Sequence, residues 1–247
     1  MSDGQQPLST TKAAGAALAW LDRVDPGTHR RIKGLRLVTA YGIAAALGSL
    51  HDVTRDVPAS VSVGMLAATF ALWASVSEAR STRAESSRDL AVLCLAAAFG
   101  AFMFALVGPT FRSFGRGGAE LVLVSGAFLA GYLKRYGATG AGVGSQFYIG
   151  ELVGFSMNLT LADTHAILLA AVIGMIASVV PRVLSGPAEH PIVLPALASE
   201  PAYGRGAVSP AFVMGLQAAC GSLIVVLLNA TIGLAESAWA ITACVYV

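Results

Sequence analysis

The stretch LAVLCLAAAFGAFMFALVGP occupies residues 90–109 and contains no charged side chain. A helix that crosses the hydrocarbon of a bilayer needs about 20 such residues, whereas a soluble core does not need an unbroken run of this length. A second uncharged stretch, residues 57–77, has Pro58 in its predicted first helical turn. Because lipid offers the backbone no hydrogen-bond partner, both stretches are predicted to be transmembrane helices.

The composition of the whole chain agrees with a membrane protein. Hydrophobic residues make up 55% of it and charged residues 12%, and its mean hydropathy is +0.70. Soluble domains usually carry about a quarter charged residues. The formal net charge of +2 is too small to predict a nucleic-acid partner, so the lipid bilayer is the expected environment. Cys94, Cys220 and Cys244 lie far apart inside apolar runs, without metal-ligand spacing, and are interpreted as packing residues.

The hydropathy pattern predicts an all-α membrane protein whose first domain is a six-helix transmembrane bundle over residues 34–184. The six predicted spans are residues 34–50, 57–77, 90–109, 119–133, 138–161 and 164–184. Each must be helical to satisfy its own backbone hydrogen bonds in lipid.

The segments on either side of this bundle are more polar. Residues 1–33 are predicted to be a cytoplasmic or interfacial segment, either an amphipathic surface helix or a disordered tail. Residues 185–209 contain four prolines and are predicted to be a cytoplasmic linker. A seventh helix starts at Pro210, and residues 237–247 start an eighth that is too short to span alone. Residues 210–247 are therefore interpreted as the start of a second, incomplete transmembrane half.

The distribution of lysine and arginine predicts an orientation. If the N-terminus is cytoplasmic, 13 of the 16 basic residues fall on the cytoplasmic side of the predicted spans. Arg55, Arg112 and Arg116 fall on the outer side. Cytoplasmic loops of membrane proteins carry an excess of positive charge, so a multi-pass protein of the cell (inner) membrane with its N-terminus inside is predicted.

Glu151 is the main candidate for a functional side chain, because it lies near the middle of the fifth predicted span. At helical spacing it shares a face with Gly144, Tyr148, Phe155 and Asn158. A carboxyl group at this depth can bind and release a proton during transport. The alternative is a neutral, hydrogen-bonded glutamate that packs the bundle.

Two further sets of polar residues have open interpretations. Arg36 either attracts an anionic substrate from the cytoplasm or anchors the first helix at the membrane surface. His51, Asp163 and His165 fall on the predicted outer side. They either form a proton relay at the exit or belong to solvated loops.

Three stretches of the chain resemble the fusaric acid resistance protein-like family. In HRRIKGLRLVTAYGIAAALG, residues 29–48, a basic lead-in precedes the first helix as in that family. GYLKRYGATGAG, residues 131–142, is similar to its basic connection between the fourth and fifth helices. In residues 215–247 a Gly-Leu turn at Gly233 and a Trp-Ala pair at Trp239 resemble its seventh-to-eighth helix region.

The resemblance implies an inner-membrane transporter built from two six-helix halves, in a family whose members export aromatic carboxylic acids or related small toxic compounds. Plant malate channels are distant relatives of this family. The second half does not follow Val247 in this sequence, so the expected partner is a further copy of the chain or a second half-transporter. The chain is thus predicted to be a transporter, or a fragment or half of one, that exports small organic or aromatic carboxylic acids with proton coupling.

Two other functions stay open at this point, a passive anion channel and a non-transporting membrane scaffold protein. An enzyme is not predicted, because the sequence contains no nucleophile elbow, phosphate-binding loop or HExxH motif. No cofactor or metal is predicted either.

Overall fold

The computed structural model describes residues 28–55, 57, 60–78, 82–185, 209–234 and 236–246. All regular structure in these ranges is helical. The main helices are α1 (Thr28–Ser49), α2 (Val63–Ser77), α3 (Arg83–Arg112), α4 (Leu121–Tyr132), α5 (Gly137–Ser156), α6 (Thr164–Leu184), α7 (Pro210–Ile232) and α8 (Ser237–Tyr246). Most of the predicted N-terminal segment, residues 1–27, and most of the predicted linker lie outside the described residues, while residues 28–33 form the start of α1 and do not belong to a separate segment.

The helices follow the predicted order, but several begin or end elsewhere. Helix α2 begins at Val63 and not near Pro58, because the Ser62 side chain accepts a hydrogen bond from the Met65 backbone N–H and caps the helix there. Helix α3 extends well beyond the uncharged run, because Thr82 caps its N-terminus in the same way. Hydropathy marks the part of a helix that lipid can cover, whereas capping side chains set its ends.

In the part of the chain that the structure describes, three helices are long and apolar enough to cross a membrane. They are Arg83–Arg112, Pro210–Ile232 and Leu161–Leu184, the last being α6 with the 3₁₀ turn before it. Helices α2 and α8 are apolar but shorter. Helix α4 has 12 residues, which rise about 18 Å against a hydrocarbon thickness of about 30 Å. The chain is therefore helical with membrane-length helices, but the predicted count of six spans and a seventh is not established.

The helices pack side by side in an order that differs from their order in the chain. Helix α3 packs against α5 and α6, helix α4 against α5 and α7, and helix α2 against α1 and α6. Helix α8 packs mainly against α7, and the Cys244 side chain lies over Gly221. Helix α5 thus occupies an inner position between α3 and α4.

The closest helix contact, between α3 and α5, depends on glycine. A Cβ atom on Gly100 would collide with the carbonyl oxygen of Phe147, and one on Gly150 with the carbonyl oxygen of Ala97. Small residues let membrane helices approach until their backbones touch. Gly154 serves the same packing, because a Cβ atom there would collide with the Phe104 side chain.

Contacts at the helix ends show that successive helices run in opposite directions. The end of the assembly that contains Lys33 and Arg182 is called the basic end. There, Lys33 at the start of α1 donates a hydrogen bond to the Glu78 carbonyl after α2 (2.8 Å). At the same end, Arg182 near the end of α6 donates to Ser86 near the start of α3 (2.6 Å). At the opposite end, Arg112 at the end of α3 donates to Asn158 after α5 (3.0 Å).

The turn between α7 and α8 starts at Gly233. Gly233 ends α7 in the left-handed region, with φ of 69°, which glycine adopts without the steric cost of a Cβ. The Asn229 side chain accepts a hydrogen bond from the Leu234 N–H (3.0 Å) and closes the turn.

Candidate functional site

Glu151 lies on α5 in the interior of the helical assembly, with only 1% of its surface exposed. The Ser125 hydroxyl on α4 donates a hydrogen bond to its Oε1 atom (3.0 Å). Its Oε2 atom lies against the backbone of Gly126, where any Cβ would collide with it. Among the described residues, Oε2 has no hydrogen-bond partner. Within the described ranges, Ser125 is therefore the one side chain that donates a hydrogen bond to Glu151, and Oε2 is buried against the Gly126 backbone.

A groove of about 460 Å³ opens between α3, α4 and α5 beside this carboxyl group. Its walls are apolar and include Phe99, Met103 and Phe147, and its polar side chains are Ser125 and Glu151. The rings of Phe99 and Phe147 lie 5.7 Å apart at a tilted angle. This space, the Glu151 groove, falls in the size range of small-molecule sites, which are mostly apolar with a few polar groups.

Tyr148 is fully buried one turn before Glu151 but serves a different contact. Its hydroxyl group forms a hydrogen bond with Thr242 on α8 (2.9 Å), and its ring packs edge-to-face on Tyr246 (6.4 Å). The Tyr246 hydroxyl in turn bonds to Ser145 (2.7 Å). The predicted Tyr148 site residue therefore connects α5 to α8, while Glu151 faces α4.

Asn158 does not share the Glu151 face, so this part of the prediction is wrong. Helix α5 ends at Ser156, and Asn158 has a positive φ of 54° in the following turn. Its exposed side chain accepts the hydrogen bond from Arg112 at the end of α3. Helical spacing applied past the end of the helix produced the error.

Arg36 belongs to a cluster of charged side chains at the basic end. Together with Lys33, Glu78 and Arg182 it lines an internal space of about 10 Å³, which is room for about one water molecule. Arg182 is almost fully buried, and Lys33 donates to the carbonyl groups of Val76 and Glu78. Burial lowers the pKa of Lys33, while Glu78 opposes this effect and Arg36 adds to it. The cluster joins four helix ends and is too small for an organic substrate.

Asp163 is buried at the opposite end, and the solvated-loop interpretation is wrong for it. Its Oδ1 atom accepts hydrogen bonds from the N–H and hydroxyl of Ser60 (3.0 and 2.8 Å). Its Oδ2 atom accepts from the N–H and hydroxyl of Thr160 (3.0 Å each). Asp163 thus ties the segment before α2 to the turn before α6. His51 and His165 are exposed, but both lie in helices and not in loops: His51 begins the short helix His51–Thr54, and His165 lies in the first turn of α6.

Sequence reasoning missed a further buried carboxylate, Glu120 at the start of α4. It accepts two hydrogen bonds from the Asn229 amide group (3.0 and 2.9 Å) and one from the Ser237 hydroxyl. These bonds join the start of α4 to the end of α7 and the start of α8. Gln146 was also missed; its amide nitrogen on α5 donates to Trp73 and Ser77 on α2. Glu120 stands at the edge of an apolar run, so hydropathy did not separate it from surface charges.

Replacing Asn229 by alanine is expected to destabilise the contact of α4 with α7 and α8. The change removes two donors from the buried Glu120 carboxylate and the cap on Leu234. Hydrogen bonds to charged groups contribute about 1.5–3 kcal/mol each, so the loss of two is expected to cost at least about 3 kcal/mol. Thermal unfolding of the purified protein in detergent measures it. The control is Thr231→Ala, which changes an exposed residue two positions later in the chain. If both changes lowered the unfolding temperature equally, the role of Asn229 would be contradicted.

Within the described ranges, no group of three or more potential metal-ligating side chains lies together. Comparison of the chain with protein-family models, with curated proteins and with solved structures found no match. The family resemblance read from the sequence therefore stays a prediction.

Proposed function

We propose that this chain is a proton-coupled membrane transporter, or half of one, that exports small organic compounds from the cytoplasm. The observation that carries the proposal is the Glu151 carboxyl group, which is buried at one side of an apolar groove and hydrogen-bonded through only one oxygen. The resemblance to the fusaric acid resistance-like family predicts that the exported compounds are small organic or aromatic carboxylic acids. The cell membrane, with the N-terminus inside, is the proposed location.

The proposal is supported by a comparison of three buried carboxylates in the same chain. Asp163 accepts four hydrogen bonds and Glu120 accepts three, so both of their oxygens are occupied. This is the expected state of a buried charge that stabilises a fold. Glu151 accepts one from Ser125. An ionisable group inside a membrane is costly, and one whose bonding is incomplete has room to exchange a proton.

A passive anion channel is the second candidate, and the cluster at the basic end favours it. Lys33, Arg36 and Arg182 face one acidic side chain, Glu78, around the same internal space. Clustered positive charge raises the local concentration of anions. A channel of this kind needs no protonation of Glu151.

Flux measurements on the purified protein in liposomes separate the two candidates. An imposed pH gradient should drive movement of radiolabelled benzoate, a small aromatic acid, and a protonophore should abolish it. In a channel, benzoate flux follows a membrane potential set with potassium and valinomycin, with no pH gradient. Absence of flux under both conditions, with folded protein in the liposomes, would contradict transport by this chain.

The orientation is tested by single-cysteine labelling after Cys94, Cys220 and Cys244 have been replaced. Cysteines at positions 83 and 134 should react with a membrane-impermeant maleimide only after the cells are permeabilised. A cysteine at position 116 should react in intact cells, because the predicted outer loop contains it. Labelling of position 83 in intact cells would show that the predicted orientation is wrong.

A further inference from the structure

We propose that the Glu151 groove is a binding site for amphipathic organic cations, meaning molecules with an ammonium group on an apolar, preferably aromatic, body. This ligand class is opposite in charge to the acids that the resemblance implies. The proposal concerns binding, so it does not depend on the direction or energy source of transport.

The first argument for a cation site is the charge of the groove. Among the described residues, those that line it include no lysine, arginine or histidine, and its only ionisable side chain is Glu151. An organic anion in this space would lie beside a carboxyl group with no positive partner, which is costly in an apolar environment. A cation would instead meet a side chain of complementary charge.

The second argument is the hydrogen bonding of the Glu151 carboxylate. Ser125 occupies Oε1, whereas Oε2 is buried over Gly126 without a hydrogen-bond partner in the described part of the chain. An ammonium group donates only, so it can form a charge-assisted hydrogen bond to the Glu151 carboxylate. A carboxylate ligand accepts only, and it cannot bond to Oε2 unless a proton is shared between the two groups.

The third argument is the aromatic and flexible side chains that line the groove. Phe99 is 56% exposed and lines the groove beside the buried ring of Phe147, so the Phe99 ring is available to a ligand at the mouth of the groove. Aromatic rings attract aromatic ligands and, through their faces, organic cations. The flexible Met103 side chain lines the same wall and adapts to ligands of different shape.

An ammonium group and a proton would compete for the same carboxylate oxygen, and a carrier that exchanges one for the other needs this competition. The basic cluster lies at the helix ends, away from the groove, so cations and anions are attracted to different parts of the chain.

Calorimetric titration of the purified full chain, in a detergent with an uncharged head group, tests the site. The probes are 4-phenylbutylamine, 4-phenylbutanol and 4-phenylbutyrate, which share one apolar body and differ in charge. The amine should bind most tightly, and Glu151→Gln should weaken its binding by about 10- to 100-fold, the effect of one hydrogen bond to a charged group. The control is Glu85→Gln, the same chemical change at an exposed position on α3, and it should leave binding unchanged.

A second variant covers the case in which Glu151→Gln does not fold. Met103→Trp keeps the carboxyl group but fills the groove, so it should also reduce binding of the amine. The proposal is overturned if the three probes bind equally, if the butyrate binds best, or if folded Glu151→Gln binds the amine like the unchanged protein. Amine binding without benzoate flux would contradict the proposed transport and leave this site standing. Proton-driven benzoate flux without amine binding would support the proposed transport and contradict the cation site.

Discussion

Glu151→Gln is expected to abolish proton-driven transport while the protein still folds and inserts into the membrane. Glutamine has nearly the same shape as glutamate and can still accept the hydrogen bond from Ser125. It cannot bind and release a proton at the pH values at which transport is measured. Groups that transfer protons typically contribute about 100- to 10,000-fold to the rate of the step they serve. A fall of about 100-fold or more in pH-driven flux in liposomes is therefore expected.

The control for this prediction separates proton transfer from packing. Glu85→Gln makes the same chemical change on the exposed surface of α3 and should transport at the unchanged rate. Expression level and thermal stability of both variants are measured beside the flux. If a normally folded Glu151→Gln protein transports at the wild-type rate, Glu151 is a packing residue and the proton-carrier hypothesis is wrong.

Gly150→Ala is expected to have the largest effect on stability of any single methyl addition to α5. The new Cβ would collide with the carbonyl oxygen of Ala97, which belongs to the backbone of α3 and cannot rotate away. Overpacking of a closely packed interior costs about 1–3 kcal/mol, and more where backbone must move. The helices α3 and α5 would have to separate, which should lower the unfolding temperature in detergent markedly.

Gly42→Ala provides a matched control on α1. No atom lies within 4 Å of the place where its Cβ would stand, so the added methyl group meets no neighbour. Alanine favours a helix over glycine by about 1 kcal/mol, and this variant should be as stable as the unchanged protein or slightly more so. If both alanine variants behaved alike, the close contact of α3 and α5 would not limit stability.

The helical elements were largely predictable from the sequence. Helix α6 has the predicted bounds of Thr164 and Leu184, and α7 starts at Pro210 as predicted. Uncharged runs define such helices because lipid and the helical backbone impose the same requirement on every residue of the run. Helix α2 was placed wrongly at its start, because a single side-chain hydrogen bond from Ser62 decides that position and hydropathy does not detect it.

The candidate site was only partly predictable. Glu151 stood out because a lone carboxyl group in an apolar run is costly, whatever lies around it. Its partner Ser125 is 26 positions away in the sequence, and no local pattern connects the two. Glu120 and Arg182 stand at the edges of apolar runs. A charged side chain at such a position can be exposed to water or buried between helices, and the hydropathy of the sequence is the same in both cases, so it does not predict which occurs.

By itself, the sequence determined that the chain is helical, where most helices lie, and that one carboxyl group sits deep within them. These properties depend on runs of neighbouring residues, whose apolar surface and backbone bonding are set locally. Only the tertiary structure decided that Oε2 of Glu151 stays unbonded beside an apolar groove, while Asp163 and Glu120 are fully bonded. The difference arises because a buried carboxylate obtains its donors from other helices, and which helices become neighbours is settled by close contacts such as those at Gly100 and Gly150.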